Sequence, residues 1–240
     1  MAARLILVRH GSTELNAGGG DGKEDRIRGH LNVPLSSKGR TEAVQVALVL
    51  AKKFPDDIDV IYTSPLERAV DTAEEIADTL SNHPKIVKEE SLWPWDVGVY
   101  AGKPTQKVLP ELTRLVETPD EAPEGGEPFV DWESRYLKFL QKQAKEAIAN
   151  DETRLFVTHT RNVRATQGWV KEGRGGLDPE QMLGKYDVVD PAGIIVMTPI
   201  SGERWNFRPI YGKGGKAGQV SGGLEKTSGF GLVIVLEDWS

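Results

Sequence analysis

Leu5-Ile6-Leu7-Val8-Arg9-His10-Gly11-Ser12-Thr13-Glu14 is the stretch on which the reading of this chain turns. A short apolar run ending in an Arg-His-Gly turn predicts a buried strand that delivers a cation and an imidazole to the edge of a sheet. Two further segments repeat the pattern of apolar strand, polar turn and helix: residues 58–62 into 63–80, and residues 154–158 into 159–170. Such alternation predicts an α/β fold, a mostly parallel central sheet covered by helices on both faces. The first crossover runs through Leu35-Ser36-Ser37-Lys38-Gly39-Arg40, which opens a helix whose Ala43, Val46, Ala47 and Leu50 fall at core-facing spacing. Residues 128–149 predict a second amphipathic helix that turns Trp132, Tyr136, Leu137, Leu140 and Ala144 inward.

The chain has 240 residues, of which 38% are hydrophobic and 28% charged, enough for one substantial domain with an appendage. The expected division is a domain over residues 1–210 and an extension over 211–240. That extension is rich in glycine, carries Lys213, Lys216 and Lys226, and closes with Leu232-Val233-Ile234-Val235-Leu236. It reads as a link followed by a terminal strand, which would pair with this domain's own sheet edge or with a partner chain in a homo-oligomer or larger assembly. There is no cysteine, which excludes disulfides, thiolate metal sites and cysteine nucleophiles. The apolar run before Arg9 is too short for a signal-peptide core and no run reaches membrane-spanning length, so a soluble cytoplasmic protein without a membrane partner is expected. A formal net charge of -6 argues against broad nucleic-acid binding but allows one basic pocket.

Ligands of open α/β sheets sit beyond the carboxyl ends of the strands. Here those ends are Arg9-His10, Thr63-Ser64-Pro65-Leu66-Glu67-Arg68 and Thr158-His159-Thr160-Arg161. All three suit a phosphate: an Arg captures its oxygens in bidentate fashion, and the amides of a helix N-terminus favour an anion. His10 and His159 follow strands, whereas His30 and His83 read as loop or surface residues. Two other motifs fail. In Asp57-Ile58-Asp59 the apolar strand follows the first carboxylate, where an aspartyl nucleophile needs it to precede. Gly18-Gly19-Gly20-Asp21-Gly22-Lys23 is followed by Glu24, not the Ser or Thr of a phosphate-binding loop, and no strand leads into it.

Arg9-His10-Gly11-Ser12-Thr13-Glu14-Leu15-Asn16 resembles the Arg-His-Gly-x-Thr-x-x-Asn signature of the histidine phosphatase superfamily, also called the phosphoglycerate mutase-like family. The resemblance continues through Arg26-Ile27-Arg28-Gly29, Pro34-Leu35-Ser36, Thr63-Ser64-Pro65-Leu66 with Arg68-Ala69 and Thr72-Ala73, Gly125-Gly126-Glu127 ahead of Trp132 and Arg135, and Val157-Thr158-His159 with Arg164. It covers residues 4–170 in the family's order and implies a three-layer sandwich. It also implies that His10 is the nucleophile, its second ring nitrogen donating to a carbonyl, and that Arg9, Arg68 and His159 hold the phosphoryl oxygens. Asn16 and Arg28 would border the same pocket, and neither a metal nor another cofactor would be needed.

Where the family usually carries a Glu two residues after a Leu and four before a Gly, this chain has Pro94. Asp96 is then the expected general acid, with Glu89 and Glu90 as weaker substitutes. Trp93, Trp95 and Tyr100 would line the substrate side. The expected function is metal-independent hydrolysis of a small phosphomonoester through a phosphohistidine. The alternatives are a phosphomutase that returns the phosphoryl group, or a non-catalytic phosphate-binding or structural protein on the same scaffold.

Overall fold

Layering is decided by alternation within β1 (Arg4–Arg9) in the computed structural model, which describes residues 3–16, 24–172, 190–201 and 204–212. Leu5 and Leu7 face one side of the sheet, Ile6 and Val8 the other, and all four are fully buried. Ile6 and Val8 pack with Val46 and Leu50 of α1 (Ser37–Lys53) and Ala73 and Ile76 of α2 (Glu67–Thr79). On the opposite side, Leu5 and Leu7 meet Leu112 of α3 (Thr105–Glu117) and Trp132, Tyr136 and Leu140 of α4 (Phe129–Asn150). One strand whose residues are apolar on both faces demands cover on both, and the expected three-layer α/β sandwich follows. The inward positions expected for α1 and α4 are all buried.

Among the described residues the sheet has six strands in the order β3-β2-β4-β1-β5-β6, where β2 is Val60–Thr63, β3 Lys85–Lys88, β4 Thr153–Thr158, β5 Ile194–Ser201 and β6 Arg204–Tyr211. The first four are parallel; β5 runs antiparallel to β1, and β6 to β5. The carboxyl ends of β2, β4 and β1 therefore lie side by side, with Thr63 opposite Val157 and Arg9 opposite Thr158. This register brings three turns far apart in sequence to one edge. The 17–23 glycine run, residues 173–189 and the tail from Lys213, including the terminal strand expected at 232–236, lie outside the described residues.

The turn after β1 is fastened to the start of α1. Ser36 caps the helix by accepting the Gly39 amide at 3.1 Å, while its own N–H donates to the Ser12 carbonyl at 2.9 Å. Gly39 lies so close to that turn that a Cβ would stand 1.9 Å from the Ser12 oxygen, and one at Gly11 would stand 2.5 Å from the Gly39 oxygen. Overpacking of this kind costs about 1–3 kcal/mol. We expect Gly39→Ala to lower the melting temperature by roughly 3–10 °C, read by differential scanning calorimetry, because a chain of this size loses about 2–4 °C per kcal/mol.

Candidate active site

Backbone hydrogen bonds extend the parallel ladder just past the strand ends: His10 N–H donates to the Thr158 carbonyl at 3.0 Å and Ser64 N–H to the Val157 carbonyl at 3.1 Å. Ser64, His159 and His10 thus stand in a row. His10 and His159 meet edge to face with centroids 5.1 Å apart, and both are buried. The His10 Nδ1–H donates to the Gly11 carbonyl at 2.7 Å, which leaves the Nε2 lone pair to accept from Arg68 Nε at 3.3 Å. Arg68 reaches this point from the first turn of α2. Its Nη1 donates to the Leu31 carbonyl at 2.7 Å, and its Nη2 to the Gly29 carbonyl at 3.1 Å and to His159 Nδ1 at 3.5 Å. His159 in turn donates from Nε2 to Ser64 Oγ at 2.8 Å. Both imidazoles are neutral tautomers in this arrangement, fixed by the bond that the other nitrogen makes.

Burial and the neighbouring cations keep them so. His10 is held well below its ordinary value of 6.5, first by desolvation and then by Arg68, Arg9 and Arg28, against the opposing pull of the Gly11 carbonyl. His159 is depressed in the same way by burial, Arg68 and His10. Burial lowers Arg9 and Arg68 to about 9, with Arg28 adding to the effect on both, and each remains a cation at neutral pH.

These groups open onto a cavity of about 360 Å³. Five guanidiniums line it, those of Arg9, Arg28, Arg68, Arg161 and Arg164, and Asp25 is the carboxylate on its wall among the described residues. Asp25 accepts from the Thr105 hydroxyl at 2.6 Å and lies 3.7 Å from Arg28 Nη1. The facing wall is Pro94, Trp95 and Val97.

A model of the histidine phosphatase superfamily, branch 1, matches residues 5–205. The chain belongs to that superfamily. It is 34% identical over 167 residues to phosphoserine phosphatase 1 of Hydrogenobacter thermophilus, covering 68% of this chain and 73% of that protein. It is likewise 34% identical over 170 residues to a glucosyl-3-phosphoglycerate phosphatase of Mycolicibacterium vanbaalenii, covering 65% and 68% of the two chains. Among solved structures, a mycobacterial glucosyl-3-phosphoglycerate phosphatase in complex with VO3 superposes with a TM-score of 0.64 at 25% identity, over 87% of this chain and 98% of that one.

Within this histidine phosphatase fold, five of the seven expected site residues converge: Arg9, His10, Arg28, Arg68 and His159 all face the cavity. Asn16 does not line it. Its side-chain oxygen accepts both the amide and the hydroxyl of Thr13, at 2.8 and 3.1 Å, so it shapes the turn behind His10. Asp96 is also turned away, although Trp95 and Val97 on either side of it line the wall. One of its oxygens accepts the Gly98 amide at 3.0 Å and the other lies 3.5 Å from His30 Nδ1. The reason is a clamp on the loop. Glu127 accepts the Asp96 amide at 3.1 Å and Arg135 at 2.7 Å, and the Trp95 indole donates to the Glu127 carbonyl at 2.8 Å.

Of the three aromatics expected on the substrate side, Trp95 lines the cavity; Trp93 packs against His30 with centroids 4.5 Å apart, and Tyr100 is not on the wall. Glu89 caps the turn at Ser91, and neither it nor Glu90 lines the cavity. His30 was expected as a loop or surface residue; it is a loop residue whose Nε2–H donates to the Pro94 carbonyl at 2.8 Å, holding the wall. Sequence reasoning passed over Asp25, whose only signal is its place just before the Arg26-Ile27-Arg28-Gly29 block.

The depressed histidines carry a stability consequence. Below pH 6.5 the unfolded chain binds protons at these positions and the folded chain does not, so stability falls as the pH drops through that range. Each histidine contributes a slope on the order of 1 kcal/mol per pH unit. We expect thermal melts of the wild type to move down between pH 7 and pH 5, and those of His10→Asn, whose amide can still donate to Gly11, to move down less.

Proposed function

We propose that the protein is a metal-independent phosphomonoesterase that works through a phosphohistidine at His10. The observation that carries this reading is the bond from His10 Nδ1–H to the Gly11 carbonyl, which fixes a neutral tautomer with its Nε2 lone pair directed to Arg68 in a cationic cavity. That lone pair attacks phosphorus, the P–O ester bond breaks, and the alkoxide leaves on the opposite side. Arg9, Arg28 and Arg68 supply fixed positive charge where the equatorial oxygens gain negative charge, and His159 stands beside them. Water then cleaves the P–N bond, releasing inorganic phosphate and restoring His10.

The leaving alkoxide takes its proton from Asp25 in its acid form in this reading, because among the described residues Asp25 is the carboxyl group that lines the cavity and Asp96 is held against Gly98 and His30. A small phosphorylated substrate fits a cavity of about 360 Å³. The two phosphatases named above support hydrolysis, and phosphoglycerate mutases among the relatives make phosphoryl return the alternative.

Brief exposure to a ³²P-labelled phosphomonoester should leave acid-labile, base-stable label on the wild type and none on His10→Ala; label that persists on the variant refutes the nucleophile. Isomerised ester in place of inorganic phosphate would make the protein a mutase. No label and no turnover across a broad substrate panel would make it a binding protein.

Proton delivery is read from leaving groups. An aryl phosphate whose phenolate leaves unaided needs no acid, whereas an alkyl phosphate does, and general acids contribute about 10²–10⁴-fold. Asp25→Asn should therefore slow an alkyl ester about a hundredfold and p-nitrophenyl phosphate only slightly. Asp96→Asn should show no such selectivity; the reverse pattern would return the role to Asp96.

A further inference from the structure

The backbone that follows His10 is held on both sides of one peptide unit. Gly11 N–H donates to Thr72 Oγ1 at 3.3 Å, and the Ser12 carbonyl accepts the Ser36 amide at 2.9 Å and the Ser36 hydroxyl at 3.2 Å. The unit between them, which joins Gly11 to Ser12, is gripped at its two ends. Its carbonyl accepts His10 Nδ1–H at 2.7 Å, and its N–H donates to Glu42 Oε2, also at 2.7 Å. The peptide is trans, so these two partners stand on opposite sides of it.

Glu42 comes from the second turn of α1. Its other oxygen accepts the Ser12 hydroxyl at 3.1 Å and lies 3.7 Å from Lys38 Nζ. Ser12 and His10 are buried and the Glu42 side chain is only 18% exposed, so little water competes for these bonds. A row therefore runs from carboxylate to peptide to imidazole, and each N–H in it points toward Glu42. Hydrogen bonds in series polarise one another, and a charged acceptor at the end of the series strengthens the effect. Negative charge on Glu42 draws the Ser12 N–H toward it and leaves the Gly11 oxygen richer in electrons, which makes it a stronger acceptor for His10.

We propose that Glu42 is a positioning residue for the nucleophile: acting through the Gly11–Ser12 peptide, it fixes the proton on His10 Nδ1 and offsets the positive charge that the ring gains on phosphorylation. The proposal rests on the phosphohistidine reading of His10. In that step the Nε2 lone pair forms the P–N bond, the P–O ester bond breaks with its electron pair leaving on the alkoxide, and Nδ1 keeps its proton. The ring passes from neutral to cationic. A contact that is stronger in that state than in the resting one speeds attack without tightening the substrate. The second step has the opposite demand: when water breaks the P–N bond the ring takes its electron pair back, and a nearby negative charge does not assist that.

Glu42→Gln keeps the shape and can keep both contacts, its oxygen accepting the Ser12 amide and its nitrogen donating to the Ser12 hydroxyl, so the charge alone is removed. With p-nitrophenyl phosphate under rapid quench, the burst of nitrophenolate reads phosphorylation and the decay of labelled enzyme reads hydrolysis. The variant should phosphorylate about three- to thirtyfold more slowly, the scale of a charge-assisted bond felt through one peptide, while its labelled form decays at least as fast as the wild type. Its affinity for inorganic phosphate should stay within about twofold, because the contact acts on the charged ring and not on the bound anion. Unchanged phosphorylation, equal slowing of both steps, or a matching loss of phosphate affinity overturns the proposal.

Proton spectra of the resting protein labelled with ¹⁵N-histidine separate this from the parent reading. The His10 Nδ1–H resonance, identified by its loss in His10→Asn, should move upfield in Glu42→Gln as the bond to Gly11 weakens. If it moves but the wild type forms no phosphoenzyme, the link through the peptide stands and the phosphohistidine assignment falls. If phosphoenzyme forms and the resonance stays in place, the link falls and the assignment stands.

Discussion

Arg68 is buried with its N–H groups turned to two backbone carbonyls and two imidazoles, and no ion pair neutralises it among the described residues. A charge taken out of water in this way needs either a partner or a dense set of neutral acceptors. Much of the site is that set of acceptors. The Gly29 and Leu31 carbonyls bring the 29–31 loop against the start of α2, and with it Arg28 and His30. The two imidazoles accept from Arg68 only while they lack a proton on the facing nitrogen, so the same cation that lines the cavity also keeps both imidazoles unprotonated. A cationic cavity and a neutral imidazole are one electrostatic arrangement.

The layered fold was legible in the chain because β1 and β4 are apolar on both faces, a pattern that leaves a strand no choice but the centre of a covered sheet. The placement of the residues at the strand ends was legible for the same reason: a residue immediately after a central strand has its position set by the ladder, and the positions of Arg9, His10 and His159 follow from that. Arg68 could be placed on its helix, but its Gly29 and Leu31 acceptors are backbone atoms, which have no signature in a sequence.

Asp96 and Asn16 misled for a different reason. Each sits in a loop beside residues that do line the cavity, and proximity along a chain does not say which way a side chain turns. Short polar side chains in loops compete for nearby backbone donors. Asp96 accepts the Gly98 amide and Asn16 the Thr13 amide, and both are spent on local geometry. Asp25, less conspicuous in sequence, faces the cavity instead because Thr105, from the start of α3, holds its carboxylate there. The number of carboxylates near a pocket is readable from composition; their allegiance is not.

The contact between Gly39 and the Ser12 carbonyl lies outside the cavity lining, as does the whole of α1. The turn that carries His10 is thus fastened to a helix none of whose residues lines the cavity, while the 94–97 wall is braced separately by Glu127 and Arg135. Two independent mountings allow one to drift without detuning the other. A fold mounted this way can alter its 94–97 wall without disturbing the turn at His10.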